Sequence, residues 1–177
     1  MEEVSIEGYE AEEKEALFNE LLTKHGQEIL QLCYSYVKDP SIAEDLTQDI
    51  FVKCYKSLHT YSGKSKLRTW LWRIAINHCK DYLKSWYHKN VVMTEKESFI
   101  KSSSNRDVED LVVQKDEDTR LASAVMNLPV TYREIIYLFY FEELSIKEIS
   151  FVIKKNENTV KTRLRRAKKL LKKRLEE

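Results

Sequence analysis

Three groups of side chains in this sequence have the types and spacing to do chemistry. The most concentrated lies near the end, where Lys161, Thr162, Arg163, Arg165 and Arg166 sit within NTVKTRLRRAKKLLKKRL. On an exposed helix start such cations can pair with phosphates, and an arginine can also grip a guanine edge in a major groove. The second group is aromatic and cationic. In YSGKSKLRTWLWRIAINHCKDYLKSWY, Trp70, Trp72, Trp86 and Tyr87 stand among Arg68, Arg73, Lys80 and Lys84, with the amide of Asn77 between them. Such a set can hold unstacked bases, each stack contributing roughly 1–3 kcal/mol, while the cations track the backbone. The small loop in front of it, Tyr61, Ser62, Gly63, Lys64, Ser65 and Lys66, could close around one base taken out of the stack. The third group is acidic. Glu44, Asp45 and Asp49, with Gln48, share one side of a helix and could either ligate a metal or present a docking face to a protein. No His, Lys or further acid completes a nuclease-like site around them, which favours docking.

The elements that must position these groups are helices. Ser145 with Glu148 makes a capping box for a short helix whose Ile146, Ile149 and Ile153 share a face. Lys154 to Glu157 suits a tight turn, and Asn158 is the expected cap of the basic helix that follows. Val160, Leu164, Ala167, Leu171 and Leu175 form that helix's inward seam. Helix, turn and basic helix together make a helix-turn-helix, whose second helix enters a major groove. A solvated basic helix or an amphipathic membrane helix would leave the capped first helix and the turn without purpose.

The first part of the chain, from about Glu10 to Tyr87, is expected to form three or four helices. An opening stripe of Leu17, Phe18, Leu21 and Leu22 is expected to break at Gly26, and a second face runs over Ile29, Leu32, Cys33, Tyr36 and Val37 to Asp39-Pro40. Ser41 and Glu44 read as a capping box that starts a helix from Ile42 to about Leu58. Its inward side is Leu46, Ile50, either Val52 or Phe51, and Tyr55. The helix after the loop places Leu67, Trp70, Leu71, Ile74, His78 and Tyr82 on one face, with Arg73 and Asn77 off it.

Composition narrows the class. With 3 Gly and 2 Pro in 177 residues there is little material for hairpins, so an all-α protein is expected. No apolar run approaches the roughly 20 residues needed to cross a bilayer, and the acidic N-terminus has no signal-peptide core. Cys33, Cys54 and Cys79 form no CxxC pair and read as buried free thiols of a cytoplasmic protein. The four histidines have no ligand spacing, so neither metal nor cofactor is expected.

A net charge of +1 conceals a block pattern. Residues 1–50 carry −10, 51–90 carry +8, 91–118 carry −4, 119–153 are near neutral and 154–177 carry +8. Two basic blocks set apart by acidic ones imply two separate contacts with a polyanion. The mixed-charge stretch VVMTEKESFIKSSSNRDVEDLVVQKDED, with its serine cluster, lacks sustained periodicity and suits a flexible linker, with room for a short helical piece at Val108 to Val113. The expected organisation is therefore two small helical domains, residues 1–87 and 118–177, joined by a linker over 88–117.

Taken in order, these segments resemble the extracytoplasmic-function (ECF) sigma factors of bacterial RNA polymerase, across nearly the whole chain. AEDLTQDIFVKCYKSL is similar to the family's polymerase-binding helix. YSGKSKLRTWLWRIAINHCKDYL is similar to its minus-ten recognition loop and helix, and TWLWRIAIN is the most specific match. LPVTYREIIYLFYFEELSIKEIS with NTVKTRLRRAKKLL resembles the domain that reads the minus-thirty-five element.

The resemblance implies that Asp45, Gln48, Asp49 and Phe51 dock on core RNA polymerase. It implies that Tyr61, Ser62, Gly63, Lys64, Ser65, Lys66, Arg73 and Asn77 meet the minus-ten strand, and that Lys161, Thr162, Arg163, Arg165 and Arg166 meet the minus-thirty-five duplex. Asp49 stands where the family has Glu, which keeps the charge and shortens the reach. Asn158 stands where a Gly is usual. The implied protein is not an enzyme. Its partners are core RNA polymerase, promoter DNA and, since no extra N-terminal domain is present to block DNA binding, a separate anti-sigma factor. A dimeric operator-binding regulator would use the helix-turn-helix but leave the acidic helix and the aromatic loop-helix unexplained.

Overall fold

The structure, a computed structural model, describes residues 11–94 and 117–177. Among these residues every regular element is helical. Helix α1 spans Ala11–Val37, α2 Pro40–Ser57 and α3 Leu67–Thr94. Then come α4 at Glu117–Met126, α5 at Val130–Ile136, α6 at Ile146–Ile153 and α7 at Glu157–Glu176. A 3₁₀ turn at Leu58–Thr60 follows α2, and a π-helical stretch at Tyr137–Phe141 continues α5. The all-α expectation holds. Helix α3 runs on to Thr94, past the residue where the linker was expected to begin, and the short helical piece expected at Val108 to Val113 lies outside the described residues.

The break expected at Gly26 does not occur, and α1 passes through it as one helix. A glycine inside a helix costs about 1 kcal/mol relative to alanine. Burial of Leu21, Ile29, Leu32, Cys33 and Tyr36 on the same helix outweighs that. Helix α1 ends at Lys38, which takes φ 56° and donates its N–H to the Tyr34 carbonyl. Asp39, rather than Ser41, caps α2: its carboxylate accepts the Ile42 N–H at 3.0 Å. Pro40 fits the first turn because the N–H it lacks would have no helical partner there, so the helix opens two residues earlier than expected.

The inward faces differ from the expected ones by a small rotation. On α2 the buried residues are Ala43, Leu46, Ile50, Phe51 and Cys54, while Val52 and Tyr55 are 51% and 56% exposed. On α3 the core takes Leu71, Trp72, Ala75, Ile76 and Cys79, with Trp70, Ile74 and His78 only half-buried. The reason is that α3 is covered from two sides. Helices α1 and α2 pack on one side, and α6 packs on another. Cys33 and Cys79, far apart in sequence, meet in this core with sulfurs 3.7 Å apart, and all three cysteines are free and buried. Burial pushes the Cys54 thiol up to about 12.

In the second half, α4 and α5 pack on α7, and α6 packs against α7. The capping box of α6 forms as expected: Ser145 Oγ accepts the Glu148 N–H at 3.1 Å, and Glu148 Oε2 accepts the Ser145 N–H at 2.8 Å. Lys154 closes α6 in the left-handed region at φ 56°. The cap of α7 is Asn156, whose Oδ1 accepts the Thr159 N–H at 2.8 Å, and not Asn158. Because α6 ends in a single left-handed residue, the turn is shorter than its polar composition suggests, and α7 gains Glu157 and Asn158 in its first turn.

Candidate nucleic-acid and docking surfaces

The acidic face is built by the period of α2. With Ala43, Leu46 and Ile50 held in the core, Glu44, Asp45, Gln48 and Asp49 are turned to solvent. Asp49 lies 3.5 Å from Nε2 of His78, whose Nδ1 is 2.8 Å from Nζ of Lys53. Phe51, grouped with this face from the sequence, is 5% exposed, and its ring meets Phe18 edge-on at 6.3 Å between centroids. It packs α2 onto α1 beneath the strip. Next to the strip, α1 and α2 leave a shallow apolar groove between Leu22, Val52 and Tyr55, floored by Phe18 and Phe51. Sequence reasoning missed Val52 and Tyr55 as surface residues. Their spacing from Gln48, four and seven positions on, is the signal that places them on its face.

The loop ahead of α3 is a closed unit. Tyr61 donates its hydroxyl to the Ser65 carbonyl, and its ring lies 5.5 Å from that of Trp70. Gly63 has φ 77°, which lets the chain reverse between those ends. Ser62, Lys64 and Lys66 are left exposed. Arg73 and Asn77, one helical turn apart on α3, are both half-buried. The guanidinium of Arg73 lies over the ring of Phe151, 4.4 Å from its centroid. Lys66 reaches Glu148 at 3.7 Å. Arg73 and Lys66 of the first basic block thus meet α6, the first helix of the helix-turn-helix whose second helix carries the other basic block.

On α7 the seam Val160, Leu164 and Ala167 is buried against the rest of the second half, with Leu171 and Leu175 half-buried. Lys161, Arg165 and Arg166 are exposed, while Thr162 and Arg163 are half-buried beside the seam. Lys168 lies 5.6 Å from the rings of Phe139 and Tyr140, so this cation is drawn back toward its own domain.

A polar network that the sequence did not suggest joins the two halves. Glu134 on α5 accepts a hydrogen bond from the Tyr36 hydroxyl of α1 and an ion pair from Lys80 of α3, with Nζ at 2.9 Å. Arg133 donates to the carbonyls of Met126, Leu128 and Tyr36 at 3.0, 3.1 and 3.2 Å. Glu142 pairs with Arg68 of α3 at 2.6 Å. The side chain of Glu134 is 2% exposed and that of Glu142 is 6% exposed. Burial holds the Glu142 carboxyl above the usual carboxylate range, partly offset by the Arg68 charge beside it. Burial, reinforced by the Glu134 charge, also raises the Tyr36 phenol well above its ordinary value. Glu134 and Glu142, set at the two ends of the apolar run IIYLFYF, were the available signal.

No helix among the described residues is long and apolar enough to cross a membrane. Nor do the described residues bring together three or more His, Cys, Asp or Glu side chains able to hold a metal ion.

Residues 21–87 match the model of Sigma-70 region 2, and residues 118–171 match that of Sigma-70 region 4. The chain is 33% identical to the RNA polymerase sigma factor SigV of Bacillus subtilis (strain 168) over 159 residues, covering 88% of this chain and 89% of that one. It is 32% identical to the ECF RNA polymerase sigma factor SigM of the same organism, covering 87% of this chain and 92% of SigM. In fold it is similar to the sigma factor RpoE in complex with the anti-sigma factor NepR from Bartonella quintana, with a TM-score of 0.68, 22% identity and coverage of 90% of this chain and 96% of that one. It is likewise similar to CnrH in complex with the cytosolic domain of CnrY, with a TM-score of 0.65, 24% identity and coverage of 92% and 89%. The chain belongs to the ECF family of RNA polymerase sigma factors.

Proposed function

We propose that Asp45, Gln48 and Asp49 dock this sigma factor on core RNA polymerase, with Phe51 bracing them from beneath and Val52 and Tyr55 extending the contact. The observation that carries this reading is the exposure pattern of α2: these polar residues face solvent while Leu46, Ile50 and Phe51 are buried behind them. Promoter recognition is then divided between the two halves. The loop Tyr61 to Lys66, with Arg73 and Asn77, holds the minus-ten strand as it unpairs, and base capture offsets an unstacking cost of a few kcal/mol. Lys161, Arg165 and Arg166, with Thr162 and Arg163 beside them, meet the minus-thirty-five duplex. Phosphate contacts there set position, and one or two base-edge contacts set preference.

In this reading the chain carries out no reaction of its own, because the polymerase supplies the chemistry. It works in the cytoplasm, where core polymerase and promoter DNA are. An anti-sigma partner fits its family, and both solved structures cited above are complexes of a sigma factor with such a protein or its cytosolic domain. The decisive experiment is run-off transcription with core polymerase on a genomic fragment library. Discrete promoter-dependent transcripts that vanish without the chain are expected, and equal output with and without it would overturn the assignment.

A further inference from the structure

The contact between Asp49 and His78 joins the acidic strip of α2 to the helix that carries Asn77. Asp49 and Lys53 stand one helical turn apart on α2, and α2 packs along α3. The imidazole of His78, the residue after Asn77 on α3, is engaged by both of them. Nζ of Lys53 lies 2.8 Å from its Nδ1, and Oδ2 of Asp49 lies 3.5 Å from its Nε2. The His78 side chain is 16% exposed, whereas that of Asp49 is 64% exposed.

The donors around the ring fix where its proton sits. An ammonium group can only donate, so Nδ1 of His78 has to accept and the ring proton is on Nε2. Nε2 is shut off from water and makes no hydrogen bond to any described residue. The Asp49 carboxylate faces it at a distance longer than an ordinary N–H···O bond. A buried N–H without an acceptor is costly, and drawing that carboxylate into ordinary range would satisfy it.

We propose that His78 is a positioning residue for core polymerase binding: Lys53 sets its tautomer, and its Nε2–H restrains the Asp49 carboxylate within the docking strip. The inference rests on the docking assignment of Asp49 above. A solvated carboxylate on a free rotamer loses motion and water when it docks, and a donor already aimed at it lowers that cost. His78 acts through Asp49 and not on the polymerase itself. One turn of α3 then serves two tasks, offering Asn77 to the minus-ten strand while His78 braces α2. Periodicity alone placed His78 on an inward seam, and the structure gives it this second use.

Two measurements on the full chain test the proposal. In the free chain, nitrogen NMR of the His78 ring should show Nε2 protonated and Nδ1 bare. Lys53→Met should let the two tautomers mix. A proton held on Nδ1 in the parent would overturn the proposal. The second measurement is affinity for purified core RNA polymerase. His78→Leu keeps the bulk and removes both nitrogens, and should weaken binding roughly three- to tenfold. His78→Gln, whose amide can both accept and donate, should recover most of that loss. In an Asp49→Ala background His78→Leu should add no further loss, whereas a residue that only supports the fold would add its full loss. If His78→Leu fails to fold, Lys53→Met at its exposed position carries the same cycle, with a loss in the parent and none on Asp49→Ala. Equal losses for Leu and Gln, or a loss that persists without Asp49, would overturn the proposal alone. Full binding by Asp49→Ala would instead overturn the docking assignment, and this inference with it.

Discussion

Arg73 and Phe151 form a cation–π pair across the two halves of the chain, the guanidinium carbon 4.4 Å from the ring centroid. One residue belongs to the helix that resembles the minus-ten reader, the other to the first helix of the helix-turn-helix. Such a pair is worth roughly 0.5–1 kcal/mol where exposed and about 2 kcal/mol where desolvated. Any contact between Arg73 and DNA has to offset that amount.

Reversing the acidic strip should separate docking from folding. Asp45→Lys with Asp49→Lys is expected to reduce co-purification with core polymerase more than tenfold while leaving helicity and melting temperature near the parent's, because both side chains are exposed. Retention of core polymerase at the parent level would remove the docking assignment. Val52→Asp should weaken the same binding if the neighbouring groove is part of the contact.

Promoter opening should depend on the loop and on Asn77. Asn77→Ala, or removal of Ser62 to Ser65, is expected to impair strand separation far more than polymerase binding. On a template already mismatched across the minus-ten segment the unpairing cost has been met, so activity should partly return. Permanganate footprinting on both templates is the measurement. Equal loss on both would show that these residues only support the fold.

The two exposed arginines of α7 can be told apart by specificity. If Arg165 or Arg166 makes a bidentate contact to guanine, its change to Ala should cost roughly 1–3 kcal/mol and relax preference at one base pair. If it touches phosphate alone, use of all upstream sequences should fall together and the salt dependence should become shallower. Transcription from a library randomised across the upstream element, at two salt concentrations, distinguishes these. Lys172 and Lys173, farther along the helix, should show the phosphate behaviour at most.

The caps give a stability test of the helix-turn-helix. Asn156→Ala should destabilise the chain by about 1 kcal/mol, whereas Asn158→Ala, in the first turn of α7 with no capping bond, should change little. Chemical denaturation would settle it, and the reverse order would contradict the observed cap.

Acid should weaken α6 through Glu148. Its carboxyl is held below the usual carboxylate range, chiefly because it accepts the Ser145 backbone N–H, with Lys66 helping. A group with a lowered folded-state pKa contributes stability that is fully present above the unfolded-state value near 4.5. That contribution is lost as pH falls through the lowered value. Glu148→Gln should therefore flatten this part of the acid limb in thermal melts, and an unchanged limb would show that the capping carboxylate is not what titrates.

Much of this molecule was legible residue by residue. The capping box Ser145–Glu148, the seam Val160–Leu164–Ala167 and the exposed strip Asp45–Gln48–Asp49 all follow from local periodicity and local hydrogen bonding, which depend on neighbours three or four positions away. Where the local reading erred, the competing term was also identifiable. Gly26 stays helical because the burial around it outweighs its propensity. Asp39 takes the cap because Pro40 can open the helix.

The sequence by itself determined that the protein is helical, that its charge is divided into blocks, and which helices carry the acidic, aromatic and basic groups. Only the tertiary structure decided that Trp72 belongs to the core, that Tyr55 stays outside it, and that Cys33 meets Cys79. It alone decided that Glu134 and Glu142 of the second half are answered by Lys80 and Arg68 of the first. The physical reason is range. Helix caps and seams arise between residues a turn apart, whereas the rotation of α3 and the pairing of buried charges depend on what packs from the far end of the chain.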